Sequence, residues 1–523
     1  MPYNFAIKAA SRFHLYSPGV NKWQRRACVL RFDPATHALS PAGSLRIFSP
    51  TRPRASPRTA QHTVFFIKAF CQSFATLFPK WKTKGTAVMS GLDWDKLLTP
   101  ARARLNTEGQ PVPYFQNEPP PRTPAEADIQ RILFSAPFRR LAGKTQVHPL
   151  ARVDYVHNRL THSLEVAEIG TSLAQSLAAP LQLSPSQTHA CALHVKAAGL
   201  GHDIGNPPYG HAGEYAIQAW VAANEEQLGN LLAGDTPAVS TESPAAILED
   251  LRKFDGNAQA FRLLSHPDPR DDAYFRLTFA SLGALIKYPK TSAEAKNAKF
   301  SCFQTSREIF HLVTRTLGLH CAETVCRHPL SYLTEIADDI CYCVTDCEDA
   351  VLMGILDAEC VRKWYLQLFE SPTTAGIKAD ASISFLRAKV IGDLVRCFTN
   401  DLVTAFEHPE TLASFEETSP TWARLHQLKD NYKVVFDDAA KIRKELHAQT
   451  EIHRTLDAFL SVVQTVHNEK PAYSMELLQK YTFGKAFIHQ HRRRSNAWWL
   501  HTMLDSVTGM TDHSLHQFCA ALP

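Results

Sequence analysis

The sequence predicts an all-α protein, and three observations support this fold class. From about residue 120 onward, apolar residues recur at steps of three or four, the spacing of an amphipathic helix; one such series is Val166, Ile169, Leu173 and Leu177. Ser184 and Pro185 supply an N-cap and a first-turn proline for another helix that runs toward Leu200. The sequence contains no run of alternating strand residues and no glycine-rich strand-to-helix turn.

The length of 523 residues is enough to bury one large core or two ordinary ones. We expect residues 89–523 to form one helical region, with a C-terminal helical lobe over about 400–523. Residues 225–250 are interrupted by glycine, proline and serine, and we expect a loose surface excursion there. No uninterrupted apolar stretch is long enough to cross a bilayer. The 12 cysteines are scattered without a CxxC pair, which favours a reduced, cytoplasmic protein.

Residues 1–88 differ from the rest of the chain in charge. They hold 14 lysines and arginines but a single acid, Asp33, so they sum to +13 and leave −8 for the other residues out of a net +5. Three interpretations remain open: a transit peptide, a basic arm that binds nucleic acid, or a translated region upstream of the true start at Met89. We favour the third, because an ordinary acidic and apolar opening begins at Met89. We therefore expect a non-native or disordered extension.

Three separated segments carry residues that bind metals. They are Asn158–Ser163, Gly201–Glu214 and Ala337–Asp346. Imidazole and carboxylate ligands together suit Mn²⁺, Fe²⁺, Co²⁺ or Mg²⁺ better than a structural zinc, which favours thiolates. Two histidines and two carboxylates would leave coordination positions open for water and a phosphate oxygen, as a hydrolytic metal requires.

The second segment is the most informative of the three. Its adjacent histidine and aspartate precede glycine, asparagine and two prolines, which predicts that a helix stops at His202 and Asp203 and that a new one starts near His211. Glu214 lies three residues after His211 and therefore on the same helix face. A carboxylate there can orient the imidazole and raise its basicity, as acid–base catalysis requires.

With five further motifs, these segments resemble the HD-domain superfamily, specifically the dGTP triphosphohydrolase family, over residues 93–523. The further motifs are Arg131–Leu133 with Ser135, Arg139–Val147, Gly256–Gln259, Leu285–Pro289 and Gly509–Asp512. The resemblance implies an HD-type helical fold and the hydrolysis of dGTP, and of other dNTPs as well, to deoxynucleoside and triphosphate. It also implies a divalent cofactor (Mn²⁺, Mg²⁺ or Co²⁺) and a homo-oligomer, with a hexamer as one arrangement.

Carried over by motif, the resemblance implies roles for particular residues. The metal ligands would be His162, His202, Asp203 and Asp338, and the catalytic pair would be His211 and Glu214. The substrate-binding residues would be Arg159 at the α-phosphate, Lys287 and Tyr288 at the outer phosphates, Gln146 and Asp346 at the sugar 3′-hydroxyl, and Tyr342 beneath the deoxyribose. Without the motif, each of these residues also has an ordinary structural interpretation; Lys287, for example, would be a solvated helix end.

Two positions depart from the pattern of many family members. Asn206 stands where a third histidine is common, and Tyr209 where phenylalanine is common. An asparagine can still hydrogen-bond a phosphate, but it cannot carry a charge or transfer a proton. The family branch with asparagine resembles dGTP-selective bacterial enzymes. Glu451 is the candidate for reading the guanine edge.

Near the C-terminus, cations and aromatic side chains alternate. They are Lys485, His489, His491, Arg492, Arg493, Arg494, Trp498 and Trp499. Such a set can bind single-stranded DNA, an effector nucleotide or the triphosphate in a neighbouring subunit, or it can be a solvated basic turn. Two alternatives to the dGTPase function also stay open: an HD hydrolase of another nucleotide phosphoester, and a nucleotide or nucleic-acid sensor that retains the metal pocket.

Overall fold

The computed structural model describes residues 92–522, apart from 107–109, 116–121, 150–154, 236–241, 267–274, 296–298, 322–323, 370–376 and 379, together with two short strands nearer the N-terminus. The chain divides into two compact units, residues 1–87 and 88–523, which are described separately. In the first unit, β1 (Leu30–Asp33) pairs antiparallel with β2 (Ala38–Pro41). The prediction of a start at Met89 concerns a position outside the described residues and stays a prediction.

The described part of the second unit contains 21 α-helices, which confirms the all-α prediction. The first eight are α1 (Trp94–Leu97), α2 (Pro124–Leu133), α3 (Ala136–Arg140), α4 (Arg159–Leu177), α5 (Pro185–Gly201), α6 (His211–Ala223), α7 (Glu225–Ala233) and α8 (Pro244–Arg252). The next eight are α9 (Gly256–Ser265), α10 (Phe279–Leu285), α11 (Arg307–Thr316), α12 (Pro329–Leu352), α13 (Ala358–Leu368), α14 (Ile383–Glu407), α15 (Phe415–Thr418) and α16 (Pro420–Tyr432). The last five are α17 (Ala439–Thr465), α18 (Tyr473–Thr482), α19 (Lys485–His491), α20 (Asn496–Thr508) and α21 (Asp512–Ala520).

Short strands and 3₁₀ turns complete this unit. The two antiparallel strand pairs are β3 (Arg102–Leu105) with β4 (Pro111–Tyr114), and β5 (His320–Cys321) with β6 (Thr324–Val325). The 3₁₀ turns are Leu141–Gly143, Gln304–Ser306, Pro409–Ser414 and Lys433–Asp437.

Local sequence accounts for where the central helices begin. The Ser184 side chain accepts from the amide of Gln187, whose side chain in turn accepts from the Ser184 amide, so a capping box and Pro185 start α5 as predicted. Asn158 caps α4 by accepting from the amides of Leu160 and Thr161. Both helices therefore begin at residues whose side chains replace missing backbone partners.

Three apolar cores form the interior of this unit, and two of them include helices after residue 400. In the first core, α4 and α5 pack against each other and against α12, and α14 and α16 cover them. In the second, α6 and α9 pack with α17, α20 and α21. The helices after residue 400 contribute to both cores, so the predicted C-terminal lobe shares its interior with earlier helices.

The expected loose excursion over residues 225–250 is wrong for most of that range. It contains α7 and the greater part of α8. Leu228 and Leu232 are buried on one face of α7, and Ile247 and Leu251 on one face of α8. Spacings of four residues place these apolar side chains against the second core, and this packing outweighs the turn-forming residues between the helices.

Two further observations concern membrane-spanning helices and the state of the cysteines. No helix in the described ranges combines the length and apolar character that a bilayer crossing requires. Among the described cysteines, eight are free, seven of them buried, whereas Cys326 is disulfide-bonded. The disulfide departs from the expectation that every cysteine is reduced.

Candidate active site

The structure brings the four predicted metal ligands together from three helices. His162 lies in the first turn of α4, His202 and Asp203 directly follow α5, and Asp338 lies in the middle of α12. Asp338 Oδ1 is 3.0 Å from Nε2 of His162 and 3.6 Å from Nε2 of His202. Asp203 Oδ1 is 3.6 Å from Nε2 of His202. Ligand atoms of His162, His202 and Asp203 lie within 4.8 Å of one another, close enough to share one ion.

The orientation of His202 leaves one nitrogen available to a metal. Its Nδ1 lies 2.7 Å from the carbonyl oxygen of Gly199, which can only accept, so Nδ1 carries the proton. Its Nε2 is buried and has no hydrogen-bond partner among the described residues. A second contact that fixes the ring in this way is usual for histidine ligands of metals. The residues therefore fit a divalent ion of the class expected from the sequence.

The carboxylates of this cluster are held ionised. Burial raises the pKa of Asp338, but the hydrogen bond of His162 and the charges of both histidines outweigh it and hold that pKa well below its usual value. Burial also raises the pKa of Asp203, and Arg159 together with the histidines lowers it below its usual value. For His202, burial lowers the pKa, but the two carboxylates raise it to about 9, so a metal ion at Nε2 would take the place of a proton. The cluster thus presents two negative charges to a cation.

Arg159 and Asn206, both predicted to bind substrate, contact Asp203. The buried Arg159 guanidinium donates from Nη1 to Asp203 Oδ2 over 2.6 Å, and Asn206 Nδ2 donates to the other oxygen, Oδ1. Gly210 closes over this pair with a φ of +57°, and a Cβ at Gly210 would overlap the guanidinium. Glycine suits this position because of the positive φ, and a larger residue would also have to displace the Arg159 guanidinium.

The turn after α5 is held in place by hydrogen bonds from residues for which the sequence predicted no function. The buried Lys144 ammonium donates over 2.6 Å to the carbonyls of Asn206 and Thr508. Burial, followed by the nearby arginines, lowers the pKa of Lys144 to about 7. Asp512 accepts from the backbone amides of Tyr209 (3.0 Å) and Thr145 (2.9 Å). Lys144 and Asp512 both lie within motifs of the family pattern, and that position in the sequence was the signal that could have indicated their role in holding the turn.

His211 and Glu214 form the predicted pair. α6 begins at His211, whose Nδ1 lies 2.6 Å from Glu214 Oε2. The other Glu214 oxygen accepts from the amide of Gly256 over 2.7 Å. Burial raises the pKa of Glu214, but its contacts with His211 and Gly256 lower it below the usual value. The His211 side chain is 72% exposed. Glu214 therefore fixes one edge of the imidazole ring, and the opposite edge is open to solvent.

The two groups predicted to bind the 3′-hydroxyl are buried and unsatisfied. Oε1 of Gln146 and both carboxyl oxygens of Asp346 have no hydrogen-bond partner among the described residues. Burial, followed by the charge of Asp349, raises the pKa of Asp346 well above its usual value, which favours the neutral form that can donate as well as accept. Buried polar groups without partners are costly, and a ligand hydroxyl would satisfy them.

The remaining sugar and phosphate residues flank α12. Lys287, which follows α10, places Nζ 3.4 Å from Glu335 Oε1 and 5.7 Å from the centre of the Tyr288 ring. Burial lowers the pKa of Lys287, but Glu335 and its neighbours raise it above the usual value, so Lys287 is a charged, largely covered group rather than a solvated helix end. Tyr342 is half-buried beside Tyr432 and Lys429.

Glu451 is buried in α17 with both carboxyl oxygens engaged. Oε2 accepts from the hydroxyl of Tyr209 over 3.2 Å. Oε1 lies 2.5 Å from Nδ1 of His516 and 3.1 Å from Nε2 of His447. Through its contact with Tyr209, Glu451 supports the turn that follows Asp203.

In the basic C-terminal segment, some cationic side chains contact aromatic rings of the same segment. His491 stacks on Trp498 with ring centres 5.1 Å apart, and the Arg494 guanidinium lies 5.7 Å from the Trp498 ring centre. Trp499 is fully buried in the second core. Arg493 and Arg494 are exposed.

Known proteins resemble much of this chain. The HD domain family matches residues 159–251. A deoxyguanosinetriphosphate triphosphohydrolase-like protein of Listeria innocua is 31% identical over 421 residues, which cover 73% of this chain and 86% of that protein. The chain belongs to the deoxyguanosinetriphosphate triphosphohydrolase family. The match confirms the family predicted from the motifs.

Other members of the dGTP triphosphohydrolase family match parts of the chain. A like-named protein of Pseudomonas aeruginosa is 41% identical over 282 residues, which span 51% of this chain and 59% of that protein. A deoxyguanosinetriphosphate triphosphohydrolase of Yersinia enterocolitica is 30% identical over 410 residues, which cover 66% of this chain and 78% of that protein. The chain is thus an HD-type phosphohydrolase family member with a His/Asp group able to hold a metal.

Proposed function

We propose that the protein hydrolyses dGTP, and other dNTPs less readily, to deoxynucleoside and inorganic triphosphate. The observation that carries this proposal is the order of groups along α12. Glu335, Asp338, Tyr342 and Asp346 follow one another at steps of three or four and therefore share one helix face. Glu335 pairs with Lys287, and Asp338 faces the two histidines.

This order corresponds to the parts of a deoxynucleoside triphosphate. Lys287 and Tyr288 would bind the outer phosphates at one end, and Arg159 and Asn206 the α-phosphate beside the metal centre. Tyr342 would lie beneath the deoxyribose, and Gln146 and Asp346 would bind its 3′-hydroxyl. The eight residue steps from Asp338 to Asp346 rise about 12 Å along the helix, which suits an extended substrate.

Each side chain has a defined task in hydrolysis at the α-phosphorus. A divalent metal held by His162, His202, Asp203 and Asp338 would polarise an α-phosphoryl oxygen and activate a water molecule. Arg159 and Lys287 neutralise the charge that accumulates on the triphosphate. His211, oriented by Glu214, transfers a proton at the reacting centre, as acid to the 5′-oxygen or as base to the water.

The same proposal includes the metal, the location, the oligomeric state, the base preference and an effector. We assign Mn²⁺, Mg²⁺ or Co²⁺ to the metal centre, a cytoplasmic location, and a homo-oligomer with a hexamer as one arrangement. Guanine preference rests on Asn206; Glu451, the residue expected from the sequence to read the base edge, already contacts Tyr209, His447 and His516 through its two carboxyl oxygens. The basic segment around Arg492 is the candidate for a single-stranded DNA or nucleotide effector.

Product analysis in ¹⁸O-labelled water tests the proposal. Purified protein is incubated with Mn²⁺ and each dNTP or GTP, with Asp338→Ala as the control for contaminating phosphatases. We expect deoxyguanosine and triphosphate, with the label in triphosphate because the bond between the α-phosphorus and the 5′-oxygen breaks. Release of monophosphate or pyrophosphate would instead identify another phosphoester hydrolase, and binding without turnover would identify a sensor.

A further inference from the structure

A second group of possible metal ligands lies outside the candidate active site. His447 and Glu451 are one turn apart on α17, and His516 lies on α21. Nε2 of His447 and Nδ1 of His516 approach the same carboxyl oxygen of Glu451, at 3.1 Å and 2.5 Å. The three ligand atoms lie within 4.8 Å of one another. In a tetrahedral zinc site, ligand atoms at about 2.0–2.1 Å from the ion are roughly 3.3–3.5 Å apart, so small side-chain movements would suffice.

The arrangement suits a cation better than it suits two protonated histidines. The ring centres of His447 and His516 are 6.0 Å apart, so two imidazolium charges would repel each other. Two neutral imidazoles and one buried carboxylate can instead coordinate a single cation through the same three atoms.

The burial of the three side chains indicates which metal chemistry to expect. The Glu451 side chain is 5% exposed, whereas those of His447 and His516 are 61% and 51% exposed. An ion at this position is therefore reached from solvent and keeps a position for water. Two histidines, one glutamate and a water molecule form a donor set that Zn²⁺ takes in proteins.

The second oxygen of Glu451 connects this group to the candidate active site. Oε2 accepts from the hydroxyl of Tyr209, which belongs to the turn after His202 and Asp203. We propose that His447, Glu451 and His516 form a second divalent-metal site, of the zinc type, which joins α17 to α21 and supports this turn through Tyr209. The assignment gives Glu451 a structural role in place of base reading, and it does not depend on the proposed reaction.

Zinc stoichiometry measured with and without the exposed histidines tests the second site. Wild-type protein, His447→Ala, His516→Ala and the control His513→Ala are equilibrated with micromolar Zn²⁺, dialysed and assayed for zinc. His513 is exposed on the same helix as His516. We expect His447→Ala and His516→Ala each to lose one equivalent relative to wild type, and His513→Ala to lose none. The comparison is repeated in the Asp338→Ala background, where the same difference of one equivalent is expected.

Thermal unfolding provides a second readout that is independent of catalysis. Zn²⁺ should raise the unfolding temperature of the Asp338→Ala protein, because a ligand that binds the folded state stabilises it. This increase should disappear when His516→Ala is added. Unchanged zinc stoichiometry in both histidine variants would overturn the proposal, and the cluster would then be a pair of ordinary histidine–carboxylate contacts.

Discussion

Arg159 and Asp203 form a buried ion pair in which Nη1 of the arginine donates to Oδ2 of the carboxylate over 2.6 Å. The sequence assigned these residues to different partners, the α-phosphate and the metal. The pair means that the guanidinium and a metal ion compete for the negative charge of Asp203, whose other oxygen, Oδ1, faces His202. A substrate phosphate could draw Arg159 away, which would couple substrate binding to completion of the metal centre.

Arg159→Met tests this competition. Removing the guanidinium frees Asp203 Oδ2 and takes a positive charge away from the cation, so Mn²⁺ should bind more tightly. The same change should lower kcat/KM for dGTP by roughly 10²–10³-fold, since a donor to the reacting phosphate is lost. Mn²⁺ titration beside steady-state kinetics measures both effects, with the exposed Arg443→Met as the control. Weaker Mn²⁺ binding in Arg159→Met would show that the arginine supports the metal centre instead.

Asp338→Ala and His211→Ala should both reduce turnover, but for different reasons. Loss of the Asp338 carboxylate should remove both metal and turnover, because it faces both histidines. His211→Ala should keep its metal and slow the chemical step by roughly 10²–10⁴-fold, the usual contribution of a general acid or base. Glu214→Gln should show a milder loss of the same kind. Elemental analysis and single-turnover rates distinguish these outcomes; loss of metal from His211→Ala would make that histidine a ligand.

Tyr342→Ala should weaken the selection of deoxyribose. The ring is expected to occupy the space that a 2′-hydroxyl would need, so a small side chain should raise GTP hydrolysis relative to dGTP. Competition between the two nucleotides at fixed Mn²⁺ gives the ratio of their kcat/KM values directly. Tyr288→Ala, which removes an aromatic ring at the phosphate end, serves as the matched control. An unchanged dGTP-to-GTP ratio in a folded Tyr342→Ala protein would exclude the proposed contact.

Asp512→Ala should destabilise the protein although Asp512 is not expected to touch substrate. Its carboxylate accepts from the backbone of Thr145 and Tyr209, and the substitution leaves buried amides without their acceptor. We expect the free energy of unfolding to fall by about 2–4 kcal/mol. Urea denaturation measures the change, and Asp430→Ala at an exposed ion pair provides the control. A loss no larger than that of the control would mean that the turn is held by other contacts, such as those of Lys144.

Several features could be predicted because their causes are local in the sequence. The start of α5 depends on Ser184, Pro185 and Gln187, all within one turn. The stop after Gly201 and the restart at His211 follow from the glycine and proline residues between them. The metal ligands could be named because each lies within a short motif. Helix caps and motif residues act over three or four positions, and that distance is visible in the sequence.

Other features depended on packing between distant segments. The sequence by itself determined the helical fold class, the family and the residue types of the metal centre. Only the tertiary structure decided that residues 225–250 are largely helical, that Arg159 pairs with Asp203, and that Glu451 meets His516. These pairs lie 44 and 65 residues apart in the chain. Their contacts exist because the apolar cores bury faces of different helices against each other, and no local pattern specifies which polar side chains this burial brings together.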